Sequence, residues 1–185
     1  MLKNRISEGI IEQARRFPDK PAVIGTDGSG ATYSDVVKIF ETVRTFLGKA
    51  PIDPADRIAI ASRDGIGSSL LALPVMEHAV LIALDPESSE DRFAFFLDLL
   101  HVNYIVTDDR NSMAWRVAEA VGVGILSARF SGGPGTYRCD LALERRPGSQ
   151  NRKKQGAPAD LAAIRTTSGT TSTPARLALT ASSYA

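Results

Sequence analysis

The residues best suited to chemistry lie near the C-terminus, in a stretch rich in hydroxyl side chains. It runs from residue 167 to 180 and reads TSGTTSTPARLALT. An apolar run at residues 161 to 164 precedes it and Pro174 follows the hydroxyl cluster, so the pattern predicts a strand that passes into a turn. Such a loop can direct backbone N–H groups and several hydroxyls at one point, which is how a protein binds phosphate. The alternative is a flexible linker, which the same residue types also favour.

Each of the predicted phosphate-binding residues has a small side chain, a hydroxyl group or both. They are Thr167, Ser168, Gly169, Thr170, Thr171 and Ser172. No G-x-x-x-x-G-K-[ST] pattern occurs in the chain, so this is not a phosphate loop of the Walker type.

The stretch resembles the phosphate-binding signature of the adenylate-forming (AMP-binding) superfamily, T-S-G-T-T-G-x-P-K-G followed by apolar residues and Thr. Eight positions match it in register: Thr167, Ser168, Gly169, Thr170, Thr171, Pro174, Leu179 and Thr180. Three positions depart from it, with Ser172 for Gly, Ala175 for Lys and Arg176 for the second Gly. The change at Ala175 removes a cation beside the phosphates. Arg176 follows it directly, and adjacent residues of an extended strand point to opposite faces.

Two upstream segments carry the same resemblance. PDKPAVI, a turn and then ATYSDV are similar to the start of adenylate-forming enzymes, where a T-Y-x-E-L element opens a helix. Leu84, Asp85 and Pro86 match the end of a second element, A-G-A-x-x-V-P-L-D-P, with Ala83 in place of its first Pro. The chain is therefore identified as resembling the N-terminal part of an acyl-CoA synthetase or adenylation-domain enzyme.

The resemblance implies a reaction and its cofactors. Enzymes of this superfamily use ATP and Mg²⁺ to convert a carboxylic acid to an acyl-adenylate, and then transfer the acyl group to the thiol of CoA or of a carrier protein. Residues 167 to 172 would bind the β- and γ-phosphates, and their N–H and O–H donors would stabilise charge on the leaving pyrophosphate.

The resemblance covers essentially the whole chain but only the opening portion of the superfamily's large domain. The carboxylate pocket, the nucleoside contacts and the small domain with the catalytic lysine come later in these enzymes. We therefore name no catalytic residue and no metal ligand among the 185 residues, and we expect a fragment that is inactive alone. An alternative is a non-catalytic relic or interaction module with a degenerate nucleotide loop, and an unrelated doubly wound protein is the third. An unfinished sheet would also favour self-association.

Bulk composition excludes several classes of function. The 22 basic and 21 acidic side chains give a net charge of +1, so we expect no binding to nucleic acid or to an anionic membrane. With Cys139 as the single cysteine and His78 and His101 as the two histidines, an intramolecular disulfide is excluded and a zinc site is disfavoured. No apolar segment suits a secretory signal or a membrane span. These features favour the cytoplasm.

The upstream elements must bring the loop to its ligand. Residues 57–61, 79–84, 104–107 and 123–126 read as apolar strands, and helical patterns separate them. The alternation predicts βαβ units in an α/β fold, with a doubly wound, mostly parallel sheet covered by helices on both faces. Ligands of such sheets bind beyond the carboxyl ends of the strands, where the loop after Ile164 would lie.

Other segments complete the predicted organisation. We expect a helix over residues 4–16, a hairpin over 22–33 and a helix capped by Ser34. The chain would form one partial large domain, divided into an α/β core (1–130), a loop-rich linker (131–160) and a final unit of strand, phosphate loop and strand (161–185).

Further residues could carry chemistry, but a structural role is favoured for each. His78 and His101 could transfer protons, although both lie at corners between elements. Asp108 and Asp109 could bind metal or act as acid and base, but a turn before a helix explains them. A basic group could suggest RNA binding, yet it lacks interleaved aromatic residues and reads as a solvated loop. That group is Arg145, Arg146, Arg152, Lys153 and Lys154.

Overall fold

A computed structural model describes residues 5–26, 28–149, 161–166 and 176–180. The helices are α1 (Arg5–Arg16), α2 (Tyr33–Lys49), α3 (Gly65–His78), α4 (Glu90–Leu99) and α5 (Met113–Ala120). The strands are β1 (Pro21–Ile24), β2 (Gly30–Thr32), β3 (Arg57–Ile60), β4 (Val80–Ala83), β5 (Tyr104–Thr107), β6 (Gly124–Ser131), β7 (Arg138–Arg145), β8 (Leu161–Thr166) and β9 (Arg176–Thr180). Within this part of the chain, no helix combines the length and the apolar character needed to cross a membrane.

The strands form a small hairpin and one large sheet. β1 and β2 pair antiparallel, as the sequence predicts. The seven-stranded sheet has the order β7-β6-β5-β3-β4-β8-β9. Its five inner strands are parallel, and β7 and β9 pair antiparallel at its two ends. The chain builds β4 on one side of β3 and β5 on the other, so the direction of winding reverses at β3.

Each face of the sheet has its own hydrophobic core, because side chains alternate along each strand. On β3, Ile58 and Ile60 pack with α2 and α3, and Ala59 packs with α4 and α5. We call the α2/α3 side face 1 and the α4/α5 side face 2. The structure confirms the predicted doubly wound, mostly parallel sheet with helices on both faces.

Helix α2 begins in a way that the sequence pattern did not indicate. Its N-cap is Thr32, not Ser34, because the Thr32 hydroxyl accepts a hydrogen bond from the backbone N–H of Asp35 at 3.2 Å. The Asp35 carboxylate in turn accepts from the backbone N–H of Thr32, which completes a capping box. Ser34 is the second residue of the helix, two positions after the cap.

Asp35 also joins this helix to the turn between β6 and β7. Its carboxylate is fully buried and accepts hydrogen bonds from the backbone N–H groups of Gly135 at 2.6 Å and Tyr137 at 3.2 Å. Burial opposes ionisation, but hydrogen bonds from Thr32, Gly135 and Tyr137 outweigh it and lower the pKa of Asp35. A buried carboxylate thus links helix α2 to the turn between β6 and β7 at the β7 end of the sheet.

Two further expectations need correction. Residues 138 to 145 form strand β7, inside the segment for which the sequence indicated a loop-rich linker. Exposed polar residues interrupt the apolar pattern along β7, and Cys139 is the one buried residue of this strand. Such a composition is typical of an edge strand. A proline inside a helix is expected to kink or break it, but helix α3 continues through Pro74 to His78, because its packing compensates for the missing hydrogen bond.

Candidate functional site

The candidate site lies at the edge of the sheet where the five parallel strands end, which we call the carboxyl edge. Strands β3, β4, β5 and β8 end there at Ile60, Ala83, Thr107 and Thr166. The six predicted phosphate-binding residues, Thr167 to Ser172, lie outside the described residues. In the sequence they lie between the described strands β8 and β9.

Strands β8 and β9 form an antiparallel pair that fixes both ends of the predicted loop. Thr166 is paired with Arg176, and Arg165 with Leu177. Strand β8 also pairs in parallel with β4, with Ile164 beside Ile82. Thr166, the last residue of β8, and Arg176, the first residue of β9, therefore lie at the carboxyl edge, near the end of β4. The sequence predicts that the loop after Ile164 lies at this same edge, and for residues 167 to 172 this stays a prediction.

The turn after β4 is the described segment nearest to that point. Asp85 stabilises this turn by accepting a hydrogen bond from the backbone N–H of Glu87 at 2.9 Å. Arg63, from the segment after β3, forms an ion pair with the Glu87 carboxylate across the end of β4. Both side chains are largely exposed, so the pair can rearrange when an anion approaches.

Strands β3 and β5 are neighbours in the sheet, and the winding reverses between them. The Ser62 hydroxyl, after β3, donates a 3.0 Å hydrogen bond to the Asp108 carboxylate, after β5. Asp64 begins α3 by accepting from the backbone N–H of Gly67 at 2.8 Å. A side chain at position 67 would collide with the ring of Phe130, so glycine allows β6 to approach α3. The sequence gives no signal that Ser62 and Asp108 meet.

The Asp108-Asp109 pair forms the predicted turn before a helix. Asp109 accepts a hydrogen bond from the backbone N–H of Asn111 at 2.8 Å, and Ser112 caps α5. Beside this turn, Arg110 forms an ion pair with Glu144 of β7. In the described ranges, no group of three or more His, Cys, Asp or Glu side chains could hold a metal ion.

The two histidines lie away from the carboxyl edge. His78 ends α3 and His101 follows α4, so both lie at the opposite edge, where the strands begin. The His78 Nε2 atom is buried without a hydrogen-bond partner in the described structure. Cys139 is a buried free thiol, and burial, together with the negative charge of Asp140, raises the pKa of Cys139 to about 12.

Of the basic group at residues 145 to 154, the structure describes Arg145 and Arg146. Arg145 forms an ion pair with Glu119 and donates a 3.1 Å hydrogen bond to the Glu119 carbonyl. Arg152, Lys153 and Lys154 lie outside the described residues.

A family model described as "AMP-binding enzyme" matches residues 10–185 of this chain. A curated relative, the hybrid PKS-NRPS synthetase pynA of Aspergillus niger, is 26% identical over 91 residues. Those residues make up 49% of this chain and 2% of the synthetase.

Solved structures share the fold. The luciferase-like enzyme from the mealworm Zophobas morio aligns with a TM-score of 0.66 at 21% identity, over 95% of this chain and 42% of that one. The α-methyl-L-serine-AMP bound form of the nonribosomal peptide synthetase FmoA3 aligns with a TM-score of 0.61 at 16% identity, over 95% of this chain and 18% of that one. The chain thus spans less than half of each of these proteins.

Proposed function

Since this chain belongs to the AMP-binding enzyme family, we propose that it is the N-terminal part of an ATP-dependent, carboxylate-activating ligase. In the first step, a carboxylate oxygen attacks the α-phosphorus of ATP. The bond from that phosphorus to the bridging oxygen breaks, and pyrophosphate leaves. In the second step, a thiolate attacks the acyl carbon, a thioester forms and AMP leaves with the bonding electron pair.

We assign the triphosphate to the predicted loop, Thr167 to Ser172. The observation that carries this assignment is the pairing of β8 with both β4 and β9. This pairing supports the assignment because Thr166 and Arg176, which flank the predicted loop in the sequence, lie at the carboxyl edge of a doubly wound sheet, where such folds bind their ligands. Backbone N–H groups and hydroxyls would then stabilise the charge that moves onto pyrophosphate as it leaves.

Mg²⁺ enters this proposal only as part of the MgATP substrate. The described residues contain no cluster of metal-ligand side chains, so none of them is assigned to the ion and no step is derived through it. Beside the Mg²⁺ of the substrate, donors and cations of the carboxyl edge would offset the charge on the nucleotide.

The acyl substrate and the acceptor thiol belong to the whole protein. The relatives include a PKS-NRPS synthetase, which supports a carboxylic acid as substrate, with CoA or a carrier protein as the acceptor. Because the chain spans 42% of the luciferase-like enzyme, we propose that the 185 residues do not complete the reaction alone. Carboxylate-dependent exchange of pyrophosphate into ATP by this chain would contradict that part of the proposal.

The first test is titration of the chain with MgATP by calorimetry, beside a Gly169→Val variant. We expect the wild type to bind and the variant to lose at least about tenfold in affinity, because a β-branched side chain would block close approach of the phosphates. Gly133→Val is the matched control, since a Cβ at position 133 meets no atom within 4 Å. It should bind like the wild type.

The departures at Ala175 and Arg176 favour one second candidate, a non-catalytic relic or interaction module. The same titration separates the two functions. No measurable binding by the wild type would reject nucleotide binding by this chain and favour the module. Equal binding by wild type and Gly169→Val would reject the loop as the site.

A further inference from the structure

We propose that Arg165, the penultimate residue of β8, supplies the positive charge for the triphosphate held by the following loop. The inference rests on the proposed function and adds to it a specific cation outside the predicted loop. Its basis is the strand register, the face on which Arg165 lies and the absence of an ion pair at this guanidinium in the described part of the chain.

The predicted loop has no cation of its own. Residues 167 to 175 read TSGTTSTPA and contain no charged side chain. A triphosphate carries several negative charges, and donors from neutral groups alone leave much of that charge uncompensated. The basic residues nearest in sequence are Arg165 on one side and Arg176 on the other. The strand register shows whether Arg165 lies on a face of the sheet that is open at the carboxyl edge.

The register places Arg165 on face 1. Ala163 and Leu179 are paired across β8 and β9, and both pack with the α2/α3 core. The next pair but one along the hairpin is Arg165 with Leu177, so alternation puts this pair on the same face. Arg176, next to Leu177 in the sequence, serves as the comparison in the test below, because adjacent strand positions alternate between faces.

Face 1 is open at this point. Arg165 is exposed, and its partner Leu177 is 54% exposed. Extending the β4–β8 register by one residue places Ala83 beside Arg165, and Ala83 is also exposed. A small residue on one side and an exposed leucine on the other leave room for a ligand above the strand ends.

Other arginines of the carboxyl edge are already paired with carboxylates. Arg63 pairs with Glu87, and Arg110 pairs with Glu144. Arg165 makes no ion pair with any residue that the structure describes. Its guanidinium can therefore bind phosphate without first giving up a carboxylate partner, and the planar group suits two phosphate oxygens at once.

The test compares magnesium tripolyphosphate and MgATP binding by wild type, Arg165→Gln and Arg176→Gln. We expect Arg165→Gln to weaken both ligands about tenfold and to lessen the salt dependence of binding. Arg176→Gln removes the same charge one residue from Leu177 and should change affinity less than about twofold. All three proteins should melt at similar temperatures, because Arg165 is exposed.

Exchanging Arg165 with Leu177 tests directly whether the positive charge must lie on face 1. The double variant Arg165→Leu with Leu177→Arg keeps the composition and returns a guanidinium to face 1 from the opposite strand. We expect it to recover most of the affinity that Arg165→Leu alone loses. Recovery would exclude simple unfolding as the cause of that loss.

The outcomes separate this inference from the proposed function. If the wild type binds and Gly169→Val does not, but Arg165→Gln binds normally, the loop is confirmed and the role of Arg165 is rejected. Equal losses in Arg165→Gln and Arg176→Gln would indicate general charge attraction, and would also overturn the inference. No binding by the wild type would overturn both.

Discussion

The two ends of the seven-stranded sheet differ in how far their side chains are buried. At the β7 end, helix α2 packs over the strand, and the buried carboxylate of Asp35 accepts hydrogen bonds from Thr32, Gly135 and Tyr137. At the β9 end, Leu177 is 54% exposed and Arg165 has no ion pair within the described ranges. One end is closed by buried polar contacts, whereas the other presents a cation and apolar surface to solvent.

This difference separates stability from binding. Satisfying a buried carboxylate with several donors makes local opening costly, because breaking the contacts leaves a charge and its donors without partners. An exposed cation contributes little to folding but remains available to an anion. We therefore expect substitutions at the β7 end to change stability, and substitutions at the β9 end to change binding or association.

The largest effect should come from Asp35→Asn. The carboxylate accepts four hydrogen bonds from Thr32, Gly135 and Tyr137, and the single amide oxygen of asparagine cannot accept all of them. The amide N–H₂ group would also lie against hydrogen-bond donors instead of acceptors. We expect a loss of about 3 kcal/mol in unfolding free energy, measured by urea denaturation. Asp140→Asn removes an exposed carboxylate from β7 and should change it by less than about 0.5 kcal/mol. Equal effects would refute the special role of Asp35.

Cys139 reports opening of the same end. It is 7% exposed and its pKa is raised to about 12, so a thiol reagent at pH 8 should react at least about 100-fold more slowly than with the unfolded chain. Asp35→Asn should accelerate the reaction by up to about 100-fold, the rate equivalent of about 3 kcal/mol. Fast labelling of the wild type would mean that the β7 end is not closed.

The effect of Asp35 should fade in acid. Its pKa is lowered in the folded protein, so its contribution to stability is complete above the unfolded value of about 3.9 and is lost as the pH falls through the lower folded value. The difference in unfolding free energy between wild type and Asp35→Asn should therefore shrink between about pH 4 and pH 2. A difference that stays constant over this range would show that the carboxylate charge is not responsible.

The smallest effect is expected at β9. We predict that the chain self-associates through this strand, and that Leu177→Lys weakens association about tenfold, because a lysine on an edge strand opposes pairing. Sedimentation over a range of concentrations measures it. Ile24→Lys, at a position that is 71% exposed on β1, is the matched control. A wild type that stays monomeric at all concentrations would contradict the prediction.

Much of the architecture was predictable from local patterns. The four apolar segments at residues 57–61, 79–84, 104–107 and 123–126 are strands of the parallel sheet, because strands buried on both faces need continuous apolar runs. The match around Gly169 led to the family that the comparison with known proteins then showed. Strand β7 was missed because half-exposed edge strands carry polar residues. The cap at Thr32 was missed because serine ranks above threonine as an N-cap by residue type, which favoured Ser34.

The sequence alone determined the fold class, the family and the segment to which a phosphate is assigned, since these depend on residue type, spacing and alternation along the chain. Only the tertiary structure decided that Ser62 meets Asp108, that Asp35 closes the β7 end and that Arg165 shares face 1 with Leu177. In the same order, the residues of these pairs lie 46, about 100 and 12 positions apart in the sequence. Such contacts depend on strand order and register, which no local pattern contains.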